Sequence, residues 1–182
     1  MPQYTATRVL QADQKTVRDI LLEIGQLPDW NPAVHSIDTD DRIAALGKRY
    51  PAGTRLPGRA FVTYTHIQAD GVDWRLEAPG AVEEGRWRIT NLGSISEVAH
   101  TMIHTGPVFM LLRHAMRAVP DLRLDRLQVR AAVATVDLGR LQPGDEAAVA
   151  HAVLPAGGVD ALDPELAEVA LAGAAVTVGV DQ

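Results

Sequence analysis

Near the N-terminus, Val17, Ile20, Leu21 and Ile24 repeat at the i, i+3, i+4, i+7 spacing of one helix face. Asp13 stands where an N-cap belongs and Gly25 where a helix stops, so the pattern predicts a short amphipathic helix between them. Ahead of it, Tyr4 to Gln11 alternates as a first strand. Behind it comes Gly25-Gln26-Leu27-Pro28-Asp29-Trp30-Asn31-Pro32, a tryptophan held between two prolines. Proline cannot continue a helix and restricts the residue before it, so this stretch reads as a built turn rather than a helix interior. A large ring on such a turn needs something to cover, and the mouth of a hollow fold would supply it.

Downstream the period changes to two. Val34 to Thr39, Gly58 to Ile67, Val72 to Ala78, Val82 to Thr90 and Ile95 to His104 read as strands. Gln68-Ala69-Asp70-Gly71, Pro79-Gly80 and Asn91-Leu92-Gly93-Ser94 punctuate the later ones, and such short turns imply an antiparallel meander. Ile43 to Pro57 carries glycine and proline and does not divide between strand and loop. At Gly106-Pro107 a helical period returns with Val108, Leu111, Leu112, Ala115 and Val119; Pro120 interrupts it, and Leu122 to Ala132 resumes with a basic stripe at Arg123, Arg126 and Arg130. The sum is an α+β layer.

Composition and charge add a boundary. The chain has 182 residues, 47% of them hydrophobic, enough for one domain with a core and an appendage. Its net charge is −6, carried almost entirely by the end: from residue 136 onward eight acids face one base, whereas the first 135 residues carry sixteen bases and fifteen acids. No aromatic residue follows Phe109. The expected division is therefore a folded domain over 1–135 and an acidic Ala/Val-rich extension over 136–182, with Asp163-Pro164-Glu165 a candidate helix start leading into Leu166 to Ala175. The extension reads as loosely ordered, or as a lid or homodimer contact drawn to the arginine stripe. The acidic balance argues against a nucleic-acid binder. No run approaches the roughly 18 apolar residues of a membrane span, and Met1 to Arg8 lacks the apolar core of a secretory signal, so a cytoplasmic protein is expected. Cysteine is absent, which removes disulfides, thiolate metal sites and a cysteine nucleophile. No Gly-x-Ser-x-Gly, phosphate loop or dinucleotide fingerprint occurs, which leaves hydrolase, kinase and Rossmann readings weak.

The order of strand, short helix, Leu27-Pro28-Asp29-Trp30-Asn31-Pro32-Ala33-Val34, meander, and Gly106-Pro107 into a helix resembles the START-like (SRPBCC) superfamily, in particular its polyketide cyclase/dehydrase and lipid-transport branch. Gly85-Arg86-Trp87-Arg88-Ile89 followed by Gly93 to Pro107 is similar to that family's last two strands and the start of its closing helix. The resemblance covers roughly residues 3–132. It implies a helix-grip fold, a curved antiparallel sheet wrapped around a long C-terminal helix, with an internal apolar cavity for a hydrophobic or aromatic ligand. Pro120 and the extension depart from the family pattern.

On the strand from Ile95 to His104, Ser96, Val98, His100, Met102 and His104 share one face. Matched to the family's final strand, Val98, His100, Met102 and His104 fall on the concave side, where imidazoles titrating near neutrality suit acid–base work on an enol or ketone. Either face of Val62 to His66 could look inward, offering Tyr64 and His66 or Phe61, Thr63 and Thr65. Trp74 and Leu76 are expected in the core with Trp87 and Ile89, leaving Arg75 outside; in the inverted register Arg75 would become a cavity cation, as arginines are in the family's cyclases. Catalytic candidates are thus His100, His104, Tyr64 and Arg75. Ligand-binding candidates are Trp30, His66, Trp74, Trp87, Val98, Met102, Met110 and Arg113, the last beside Arg117 on the closing helix. No carboxylate shares the histidine face and no spacing completes a metal triad, so neither metal nor cofactor is expected. The family implies a cyclase, aromatase or dehydratase acting on a polyketide-like or other apolar natural-product intermediate. The alternative is an inert carrier of a hydrophobic small molecule.

Overall fold

A computed structural model describes residues 1–140, with side chains to residue 135. The chain runs through β1 (Gln3–Leu10), α1 (Gln14–Leu22), a 3₁₀ turn (Ile24–Gln26), α2 (Leu27–Trp30), β2 (Val34–Ile37), β3 (Arg49–Thr54), β4 (Ala60–Gln68), β5 (Gly71–Ala78), β6 (Ala81–Asn91), β7 (Ser96–Thr105), α3 (Pro107–Leu111), a second 3₁₀ turn (Ala115–Ala118) and α4 (Val119–Arg140). The seven strands form one antiparallel sheet in the order β1-β7-β6-β5-β4-β3-β2. β1 and β2 are therefore the two edges, and the helical link between them packs against β5 and β6 through α1. Register shifts between Val34 and Ser36 and between Tyr64 and His66 are bulges of the kind that bend a sheet.

Period-two alternation places the strands as their sequence suggests. β7 buries Ser96, Val98, His100, Met102 and His104, while β6 buries Ala81, Glu83, Gly85, Trp87 and Ile89. In α1, Asp13 accepts a 2.8 Å hydrogen bond from the Thr16 amide as an N-cap, and Val17, Ile20 and Leu21 point into the core. α4 packs on β1, β7, α1 and α2, closing the grip.

Three expectations change. The Leu27 to Trp30 stretch is one helical turn rather than a non-helical turn: Pro28 sits at its start, where a missing N–H costs nothing. Pro120 does not break the closing helix, since it lies in the first turn of α4; the interruption falls earlier, between α3 and the 3₁₀ turn. Ile43 to Pro57 yields β3, which pairs with β4 and β2. Readings of residues 141–182 lie outside the described residues. No helix among the described residues is long and apolar enough to cross a membrane.

Candidate functional site

Aromatic rings and charged groups face one another between the sheet and α4. Trp30 from α2, Trp74 from β5 and Trp87 from β6 form one cluster: Trp30 lies parallel to Trp74 at 5.4 Å and edge-on to Trp87 at 5.6 Å. Gly85 makes this possible. A Cβ there would collide with Trp74 Nε1, so only glycine lets the indole cross the neighbouring strand. Trp87 in turn stacks on the His100 ring at 3.7 Å.

Beside the rings sits a buried ionic cluster. Arg123 of α4 is 0% exposed and Glu83 of β6 is 2% exposed. Two guanidinium nitrogens of Arg123 donate to the two Glu83 oxygens, Nη1 to Oε1 at 2.6 Å and Nη2 to Oε2 at 3.1 Å. Nη1 also lies 3.2 Å from His100 Nε2 and 3.0 Å from Met102 Sδ, and His104 Nε2 lies 3.1 Å from Glu83 Oε2. The two histidines, four residues apart on one strand, are thus joined by a third element from β6 and α4. Burial alone would raise the Glu83 carboxyl, but Arg123's charge and the hydrogen bonds from His104 and Arg123 outweigh it and hold the group well below the usual carboxylate range. Burial, then the Arg123 charge, pushes His100 down to about 3.

These partners assign the protons. A guanidinium can only donate, so His100 Nε2 accepts and its Nδ1 carries the hydrogen, directed at the Arg86 carbonyl 3.3 Å away. An ionised carboxylate can only accept, so His104 carries its hydrogen on Nε2. The two imidazoles therefore donate through opposite nitrogens, Nδ1 in His100 and Nε2 in His104. His104 Nδ1, Arg123 Nε and the three indole nitrogens are buried without a hydrogen-bond partner among the described residues.

The remaining candidates are scattered. Tyr64 is buried, but its hydroxyl donates to the Leu21 carbonyl at 2.8 Å and burial pushes the phenol up. Val98 and Met102 are in the core and His66 is half-buried beyond the β4 bulge. Arg75 stays on the outer face, 3.3 Å from Glu77 and 3.9 Å from Glu84, lining a depression of about 280 Å³; the inverted register that would aim it inward does not occur. Met110 is 69% exposed and Arg113 is exposed, its carbonyl accepting from the Tyr4 hydroxyl, so neither stands in the interior. Sequence reasoning missed Glu83 and Arg123 as interior groups. Stepping by two from Trp87 reaches Glu83, and stepping back one helical turn from Leu127 reaches Arg123, so both signals were present.

No family model matches the chain, and no curated protein matches it. Solved structures do. A hypothetical protein of Helicobacter pylori aligns over 71% of this chain and 88% of its own, at 17% identity and a TM-score of 0.57. A START superfamily protein of Mycobacterium smegmatis aligns over 72% and 98%, at 16% identity and a TM-score of 0.52. The di-domain ARO/CYC StfQ of the steffimycin biosynthetic pathway aligns over 74% of this chain and 51% of its own, at 12% identity and a TM-score of 0.57, so this chain spans about half its length. Identities this low carry the architecture alone. The fold is START-like, a helix-grip.

Proposed function

We propose that this protein is a cofactor-independent acid–base enzyme of the cyclase or dehydratase type, acting on an apolar, carbonyl-bearing small molecule held between the sheet and α4. The observation that carries the reading is the interior cluster of Glu83, His100, His104 and Arg123, none more than 2% exposed. Replacing a buried ion pair by apolar side chains is often neutral or stabilising, so packing alone gives little reason to place one at the centre of a core. A ligand whose carbonyl gathers negative charge during reaction does give a reason. Partnerless buried donors at Arg123 Nε and on the three indoles suit a ligand with several oxygen acceptors.

In the chemistry proposed, an imidazole removes the proton from a carbon next to the carbonyl. In an aldol closure the resulting electron pair forms the new C–C bond and the proton passes to the receiving oxygen. In a dehydration it forms the C=C bond as the neighbouring C–O bond breaks, and the hydroxyl leaves as water with that proton. Arg123, held in place by Glu83, supports the negative charge on the carbonyl oxygen. StfQ, named for ARO/CYC activity, is consistent with this class.

A carrier of a hydrophobic small molecule is the second reading. It is favoured by the commitment of both His100 nitrogens and both Glu83 oxygens to protein partners. Native mass spectrometry of the full chain from its own source, before and after incubation, together with NMR of the released compound to detect mass-neutral ring closure, separates the two. A retained carbonyl compound that loses one water or cyclises supports the enzyme, and a retained compound released unchanged supports the carrier.

A further inference from the structure

The two interior histidines differ in one respect that the sequence pattern hides. His100 has a partner at each nitrogen: Arg123 Nη1 at 3.2 Å and the Arg86 carbonyl at 3.3 Å. Its ring also stacks on Trp87. Among the described residues His104 has a partner at Nε2 alone, and its Nδ1 is buried without one. The His104 ring is 1% exposed, and Phe109 of α3 lies flat on it, 4.0 Å between centroids and 6° between planes.

We infer that His104, through Nδ1, is the proton-transferring group of this interior, that Glu83 is its positioning residue, and that His100 is a strut. The inference rests on the enzyme reading above and goes further by choosing between the two imidazoles. Ionised Glu83 accepts the Nε2 hydrogen, which leaves the Nδ1 lone pair as the free base of the pair. Phe109 fixes the plane of the ring and Glu83 fixes its tautomer, so the lone pair keeps one direction. Arg123 gives Glu83 its ionised state and, by occupying His100 Nε2, denies that ring the same role. A substrate hydrogen bound for this base must approach in the plane of the His104 ring, where the Nδ1 lone pair lies, and Phe109 on its face holds that plane in place.

Two measurements on the full chain test this. The first is a long-range proton–nitrogen NMR spectrum of protein labelled with ¹⁵N-histidine, taken on wild type and Glu83→Gln. The expected spectrum shows His100 protonated at Nδ1 and His104 at Nε2; in Glu83→Gln only His104 loses its single-tautomer signature. A wild-type His104 protonated at Nδ1, or a His104 signal indifferent to Glu83→Gln, overturns the inference. If Glu83→Gln does not fold, the wild-type tautomers and the second measurement decide. That second measurement is exchange of the acetyl protons of 2-acetylnaphthalene for deuterium in D₂O, a probe of proton removal beside a carbonyl. His104→Gln is expected to slow protein-catalysed exchange well over tenfold and His100→Gln less than threefold, given the usual worth of a general base. Equal losses, or exchange unaffected by His104→Gln, overturn it. Absence of exchange in wild type counts instead against the enzyme reading, and the tautomers then rule on the positioning of His104 alone.

Discussion

His100 makes folding stability depend on pH in a way that can be worked from its surroundings. In the unfolded chain its imidazole titrates near 6.5, and in the fold burial and the Arg123 charge push it down to about 3. Between those values the unfolded state binds a proton that the folded state refuses. Stability is therefore fully present above about pH 6.5, falls as the pH drops, and the loss from this group is complete near pH 3. At pH 5 the two pKa values give a loss of about 2 kcal/mol, and the full separation corresponds to about 5 kcal/mol at one unit per ~1.4 kcal/mol. Glu83 works in the same direction but only from the ordinary carboxylate range downward, so it contributes little between pH 7 and 5. The assay is urea unfolding of the full chain at fixed ionic strength from pH 8 to 5, on wild type and His100→Gln. Glutamine keeps a donor for the Arg86 carbonyl and an acceptor for Arg123, but it does not titrate. Over the interval wild type should lose about 2 kcal/mol more than the variant. Identical slopes in the two proteins would refute the buried, neutral His100 on which the tautomer argument stands.

Other consequences concern the same packing. Arg123→Met should destabilise by about 3–5 kcal/mol because it leaves buried Glu83 charged without its cation, with only the His104 hydrogen bond remaining, whereas the double variant Glu83→Leu, Arg123→Met should recover most of that loss; chemical unfolding of both checks this, and a double variant worse than the single one contradicts the pairing. Gly85→Ala drives a Cβ into the Trp74 indole and should cost roughly 1–3 kcal/mol, with a changed tryptophan fluorescence spectrum. Tyr64→Phe removes the donor to the Leu21 carbonyl and should cost about 1–2 kcal/mol in unfolding while leaving turnover within a factor of about two.

The strand pattern was legible because β6 and β7 alternate without interruption, and the turn residues between β4, β5, β6 and β7 stand where the structure turns. β3 was not, since Pro51 and Gly53 lie inside it and mask its alternation. Local pattern also misjudged Leu27 to Trp30, where a proline that cannot continue a helix instead begins one. The inward histidine face was readable from period two, aided by the family resemblance. The partner groups were harder. Arg123 shares a helix with Arg126 and Arg130, and a run of basic residues reads as a solvated stripe; that one of them is buried follows from Glu83 lying 40 residues earlier in the chain. A charge is drawn into a core only by its partner, and no periodicity within one element reveals a partner on another.

The central claim is that the buried cluster performs proton transfer on a bound ligand instead of merely holding it. The most direct measurement follows the compound retained by the purified full chain during incubation in D₂O, by mass and by NMR, in wild type and His104→Gln. The account predicts deuterium at the carbon beside a carbonyl, or loss of water, in wild type, slowed well over tenfold in the variant. A retained compound that leaves wild type unlabelled and unchanged would contradict it and make the protein a carrier.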